Sequence, residues 1–213
     1  FIENWPVSAY DGAKAANYVG WVNNRALPKF RTDNPAVREY LMQVAEFWIR
    51  EYDIDGWRLD VPTEITTDGF WKEFRQRVRN VKSDAYLVGE IWHDAPDWLV
   101  GDRFDATMNY VFAAAAIAFA GGARISGKLV GSQSYEPYPG IDAPTFGERI
   151  SALLDTYAWE TTQVQFNLLG SHDAPRVLSL ARGDKATLRL ATFLQMTFPG
   201  APCIYYGDEI ALR

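Results

Sequence analysis

A single cysteine, Cys203, stands among 213 residues, which excludes an internal disulfide and leaves no thiol cluster for zinc. One cysteine fixes no compartment, so location stays open, with the cytoplasm favoured and secretion the alternative. No block of lysine and arginine stands out and the formal net charge is −6, which argues against nucleic acid or an anionic membrane as partner and for a neutral ligand. The longest apolar run, VFAAAAIAFAGG at 111–122, is too short to span a bilayer, and the first residues lack the basic-then-apolar pattern of a signal peptide. Also missing is any G-x-G-x-x-G or G-x-x-x-x-G-K-[ST] loop after an apolar run, so nothing favours a nucleotide-binding sheet. What the chain has in quantity is aromatic surface, 15% of its residues with eight tryptophans, much of it in polar stretches such as FIENWPVSAY and ANYVGWVNN. Flat apolar faces beside polar groups suit sugars, whose C–H faces stack on rings while their hydroxyls take hydrogen bonds. Any one of these rings serves equally well as ordinary core.

The length allows one sizeable domain or two small ones. Residues 1–33 show little periodicity and many turn formers, as in a long loop or the tail of an inserted subdomain. Asp33 or Asn34 then caps a helix to about Tyr52, with Pro35 in its first turn and Val37, Leu41, Val44 and Trp48 at helical spacing. IDGWRLDV at 54–61 predicts a strand, and Asp68 a cap for a helix striped by Phe70, Phe74, Val78 and Val81. AYLVGEIW at 85–92 and FDATMNY at 104–110 predict two further strands, with a brief helical segment around Pro96–Val100 between them and the Ala-rich helix 111–120 after them. An excursion from Gly121 to Pro144 leads to a helix near 145–158, a fourth strand in QFNLLGSHD at 165–173, a helix from Asp184 to about Thr197, and a fifth strand in PCIYYGDE at 202–209. Strands apolar on both faces, alternating with helices, predict an α/β fold with a parallel sheet. Asp60, Glu90, Asn109, His172 with Asp173, and Asp208 with Glu209 all fall at strand C-terminal ends. Barrel enzymes assemble their sites there, so a (β/α)8 TIM barrel is a simpler account than a doubly wound sheet.

Asp60, Glu90 and Asp173 would therefore meet at one mouth, where three carboxylates cannot all titrate normally. Retaining glycoside hydrolysis uses such a set: one carboxylate attacks the anomeric carbon while a carboxylic acid about 5–5.5 Å away protonates the leaving oxygen. Arg58, two residues before Asp60, shares its strand face and favours the ionised nucleophile. Glu90 lies between Gly89 and the apolar Ile91 and Trp92, surroundings that favour the protonated acid, and Trp92 is also a candidate sugar-stacking ring. Asp173 and His172 can hold substrate hydroxyls. Each has a bland alternative: a structural Arg58–Asp60 pair, Glu90 as a helix cap, His172-Asp173 as a turn. Purely structural roles would not demand three acids at successive strand ends.

GWRLDVPTE, GEIW and NLLGSHD resemble the second, third and fourth conserved regions of the alpha-amylase family of glycoside hydrolases, in the family's order and at compatible spacing. LPKF at 27–30 resembles the short region that marks the neopullulanase, cyclomaltodextrinase and maltogenic amylase group, and GEIWHDAPDWLVGDRFDATMNY extends that likeness. The resemblance implies Asp60 as nucleophile, Glu90 as acid/base, Asp173 as transition-state stabiliser, Arg58 and His172 as supporting residues, and Glu64 near the leaving-group side, where its alternative is an ordinary loop carboxylate. It further implies that residues 1–33 end an inserted domain between strand 3 and helix 3 of the barrel, and that 34–213 form its C-terminal part, about strands 4 to 8. The expected substrate is an α-glucan (cyclodextrin, pullulan, starch or a maltooligosaccharide), with hydrolysis of α-1,4 bonds and some transglycosylation. The rivals are α-1,6 or trehalose specificity, and a noncatalytic barrel scaffold. No cofactor is required by this chemistry, although the family implies calcium for a longer parent through ligands that include an asparagine outside this chain. A parent homodimer is likewise an implication of the group.

Overall fold

The computed structural model describes residues 13–130 and 139–213, so FIENWPVSAY and most of SQSYEPYPG lie outside the described residues. The chain divides into two compact units. One runs up to Asp55 and includes Thr63–Ala85; the other comprises Gly56–Pro62 and Tyr86–Arg213.

In the first unit the loop expected before residue 34 contains two isolated antiparallel bridges, Lys14–Asn24 and Gly20–Pro28, around a 3-10 turn at Trp21–Asn23. Helix α1 spans Pro35–Tyr52, and of its two candidate caps Asn34 is used, accepting from the amides of Ala36 (2.9 Å) and Val37 (3.3 Å). Its buried residues are Met42, Ala45 and Ile49, and it packs with α2, Phe70–Val81, which buries Phe70, Trp71, Phe74 and Val78. The expected cap Asp68 is not the cap of α2. Gly69 takes that position in the left-handed region (φ +65°), where a residue without Cβ turns the chain at low cost, and no side chain caps the helix. The main-chain oxygen of Asp68 accepts from Arg38 at 3.1 Å instead.

The second unit carries the strands: β1 Gly56–Leu59, β2 Tyr86–Gly89, β3 Ala106–Thr107, β4 Phe166–Leu168 and β5 Ala201–Cys203. All pair in parallel, in the order β1-β2-β3 and β4-β5, and a parallel bridge from Met108 to Phe166 adjoins the two groups. Helix α3, Tyr110–Gly121, follows β3 and is buried on most of its surface, as an Ala-rich helix that is apolar all round must be. Then come α4 Gly127–Val130, α5 Ala143–Thr156, α6 Trp159–Thr162, α7 Val177–Leu180 and α8 Lys185–Thr197. Asp142 and Asp184 cap α5 and α8 through their carboxylates, the latter as expected. Phe112, Ile117, Val177, Leu188, Val88 and Leu168 belong to one core that joins the helices to the strands. A buried polar line crosses it: Gln165 accepts from Thr107, Asn109 donates to Asn167 at 2.8 Å, and Gln195 donates to the carbonyls of Asn167 and Cys203. With these groups satisfied internally, the strands are held in one register at the level where they end. Among the described residues no helix is long and apolar enough to cross a membrane.

Gly89, the last residue of β2, has no room for a side chain, since a Cβ there would lie 2.9 Å from the ring of Phe104. Gly89→Ala is expected to lower stability by about 1–3 kcal/mol through overpacking, read as a lower denaturation midpoint with an unchanged m-value.

Candidate active site

Leu59 and Gly89 are partners in the β1-β2 register, so the residues that follow them, Asp60 and Glu90, leave the sheet side by side. The amide of Glu90 continues the ladder, donating to the carbonyl of Leu59 at 2.9 Å. Arg58 lies across both acids. Its Nη1 donates to Asp60 Oδ1 at 2.5 Å, its Nη2 is 3.2 Å from Glu90 Oε1, and its Nε donates to Met108 Sδ at 3.3 Å. The Nη2 contact is an ion pair by distance without hydrogen-bond alignment. Sequence spacing assigned Arg58 to Asp60 alone. The strand register gives it Glu90 as well.

The two carboxylates differ sharply in exposure, with 74% of the Asp60 side chain open to solvent against 5% for Glu90. A pair as exposed as Arg58–Asp60 is worth only about 0–1 kcal/mol, so a purely structural role accounts poorly for it. Glu90 accepts at both oxygens, from Val61 N at Oε2 (2.9 Å) and from Trp92 Nε1 at Oε1 (3.2 Å). Val61 makes that bond from a left-handed backbone, φ +36°, which is uncommon and costly for a β-branched residue. The strained turn directs an amide from the residue after Asp60 to the other acid.

Trp92 stacks on Tyr110 with ring centroids 3.8 Å apart and planes 5° from parallel. The Tyr110 hydroxyl donates to Ser171 Oγ at 3.0 Å, and Ser171 Oγ accepts from the amide of Asp173 at 3.1 Å. His172 Nε2 lies 3.2 Å from Asp173 Oδ2. One run of contacts therefore links Asp60, Arg58, Glu90, Trp92, Asp173 and His172, the expected site residues except Glu64. Glu64 belongs to the first unit, where Lys29 of the LPKF stretch donates to its carboxylate (3.3 Å) and its carbonyl (2.6 Å). Tyr110 and Val61 are site residues that sequence reasoning missed. The polar end of the third strand pointed to Asn109, which instead caps α3 by accepting from Phe112 N. Its neighbour Tyr110 is the residue that reaches the site. Beside the Trp92–Tyr110 stack opens a cleft of about 450 Å³, with apolar walls from α3 and α5 and with His93, Asp94 and Arg149 among its lining. That volume lies within the usual range for small-molecule sites.

Burial, with the charges of Asp173 and Glu90 acting in the same direction and the Ser171 bond and Arg58 opposing, pushes the Tyr110 phenol up to about 12. The phenol is the neutral donor at any working pH. Because its folded pKa lies above the unfolded value near 10, the stability it contributes is intact below pH 10 and is lost on rising to about pH 12, on the order of 2–3 kcal/mol. Denaturant melts at pH 9 and pH 11.5 are expected to show a smaller alkaline loss in Tyr110→Phe than in the parent. Equal losses in the two would contradict the assignment.

Among the described residues no three His, Cys, Asp or Glu side chains gather to hold a metal ion.

Compared with known proteins, residues 3–213 match the alpha-amylase family, "Alpha amylase, catalytic domain". A cyclomaltodextrinase from Geobacillus thermopakistaniensis (strain MAS1) is 47% identical over 186 residues, covering 87% of this chain and 29% of the relative. Neopullulanase 2 of Thermoactinomyces vulgaris is 43% identical over 212 residues, 100% of this chain and 33% of the relative. The solved, acarbose-soaked debranching enzyme of Nostoc punctiforme superposes with a TM-score of 0.89 at 53% identity, covering 99% of this chain and 45% of that one. The chain spans about a third of the length of these curated relatives.

Proposed function

The chain belongs to the alpha-amylase family, and on that premise we propose that it supplies the three acids of an enzyme hydrolysing α-1,4-glucosidic bonds of cyclodextrins, pullulan, starch or maltooligosaccharides with retention of configuration. The observation that carries this reading is the single guanidinium of Arg58 in contact with both Asp60 and Glu90 at adjacent strand ends. Asp60 attacks the anomeric carbon and Glu90 gives its proton to the departing glycosidic oxygen, leaving a glycosyl group on Asp60. Glu90, now a base, takes a proton from the incoming water, and the ester to Asp60 breaks. A sugar hydroxyl in place of that water gives transglycosylation. Asp173 and His172 accept and donate hydrogen bonds to ring hydroxyls as charge develops. We assign the five strands to positions four to eight of a (β/α)8 barrel, residues 1–33 to the end of an inserted domain, and any calcium to the longer protein rather than to this chemistry.

Branch-point (α-1,6) cleavage is the second reading, favoured by the name of the 53% identical debranching enzyme. Both are tested by assaying the full-length protein on β-cyclodextrin, pullulan and starch while following the first-formed product by proton NMR. The α-anomer is expected to appear first. Initial β-anomer would overturn retention, cleavage confined to branch points would select the second reading, and no turnover on any glucan would leave the noncatalytic scaffold.

A further inference from the structure

Asp173 sits on the loop that follows β4, where the Tyr110–Ser171 link supports its backbone on one side. We propose that Arg176 is a positioning residue that supports it from the other, by clamping the Asp173 loop to the segment after β5. This rests on Asp173 acting at the sugar in the proposed function.

Arg176 follows Asp173 by three residues and is largely enclosed, with 14% of its side chain exposed. Every partner described for its guanidinium lies on the β5 side. Nη1 donates to the carbonyl of Tyr206 and lies 3.4 Å from Asp208 Oδ1, while Cζ sits 4.4 Å and 4.7 Å from the ring centroids of Tyr205 and Tyr206. The two rings meet edge to face at 4.8 Å. At the other end of the same loop, a Cβ on Gly170 would lie 3.5 Å from Asp208 Oδ2, so the loop packs on Asp208 both before and after His172 and Asp173. Gly207 turns the chain beside the clamp in the left-handed region, φ +91°, where a Cβ would lie 2.8 Å from Leu212 Cδ2 and 3.2 Å from Arg176 Nη1.

Two features argue for geometry over plain stabilisation. Burial raises the Asp208 carboxyl above its ordinary range even with Arg176 opposing it, so the pair sits in surroundings that disfavour its charges. Buried pairs of this kind are poor stabilisers compared with apolar replacements, so net stability is a weak reason for Arg176 and Asp208 to meet here. Arginine is also required by shape, since one planar group covers two rings, a carbonyl and a carboxylate at once, which a lysine ammonium cannot do.

The test uses the full-length protein on β-cyclodextrin at 25 °C, with kcat, KM and Tm measured for Arg176→Lys, Asp208→Asn, the double variant and Asp173→Asn. Misplacing a catalytic group by a fraction of an ångström to 1 Å is expected to lower kcat about tenfold or more. Arg176→Lys and Asp208→Asn should each do so with KM changed less than about threefold, and the double variant should be no worse than the poorer single, because both break one clamp. A lowered Tm with wild-type kcat in both single variants would overturn the proposal and leave a structural contact. Should Arg176→Lys fail to fold, the near-isosteric Asp208→Asn decides alone. Wild-type kcat in Asp173→Asn would overturn the underlying reading of Asp173 and this proposal with it, whereas loss there beside normal single variants would overturn only the clamp.

Discussion

Glu90→Gln is expected to lower kcat on β-cyclodextrin by about 10²–10⁴-fold, the range for losing a positioned proton donor. The amide keeps the shape of the side chain and removes the proton that the departing sugar needs. Its effect should depend on the leaving group: an aryl maltoside that releases a nitrophenolate needs little protonation, so the loss on that substrate should be much smaller than on cyclodextrin. A merely structural Glu90 predicts equal losses on both. The variant also carries a stability cost. Glu90 accepts from Val61 N at one oxygen and from Trp92 Nε1 at the other, with Arg58 alongside. A glutamine amide must turn its NH2 toward one of those donors and leave it unmatched, which costs about 1–3 kcal/mol in a buried site.

Asp60→Asn should give a comparable loss in kcat, about 10²–10⁴-fold, for a different reason and with a different companion effect. The carboxylate is open to solvent, and its pair with Arg58 contributes little to folding, so Tm should move by no more than a degree or two. Activity would collapse while the fold stays intact. Mass spectrometry of the parent quenched during turnover should reveal a glycosyl adduct on the peptide holding Asp60, absent from the variant. A turnover close to the parent's would sink the nucleophile assignment, and a large fall in Tm would revive the structural salt bridge.

The elements that were legible in the sequence are those whose signals are local. Helix α1 begins after its Asn34 cap and ends at Tyr52, and α8 begins after Asp184, because caps and helical spacing lie within a few residues of one another. Strand positions were legible as apolar runs, but their observed lengths are shorter, since a run does not say where the neighbouring ladder stops. The four-residue helices α4, α6 and α7 were missed, being too short to show a period at all. Asp68 was a reasonable cap on composition, yet the conformation chosen at Gly69 overrode it.

By itself the sequence determined that Asp60 and Glu90 close two apolar runs and that Arg58 stands two residues before Asp60, which are one-dimensional facts; Asp173, expected at a strand end, lies in the loop beyond β4, which stops at Leu168. Tertiary structure alone decided what those acids touch. Arg58 meets Glu90 across β1 and β2, Tyr110 meets Ser171 from 61 residues away, and Arg176 meets Asp208 from 32. Contacts of that kind depend on strand register and on which turns the backbone can adopt, as at the left-handed Val61, and neither leaves a periodic trace along the chain.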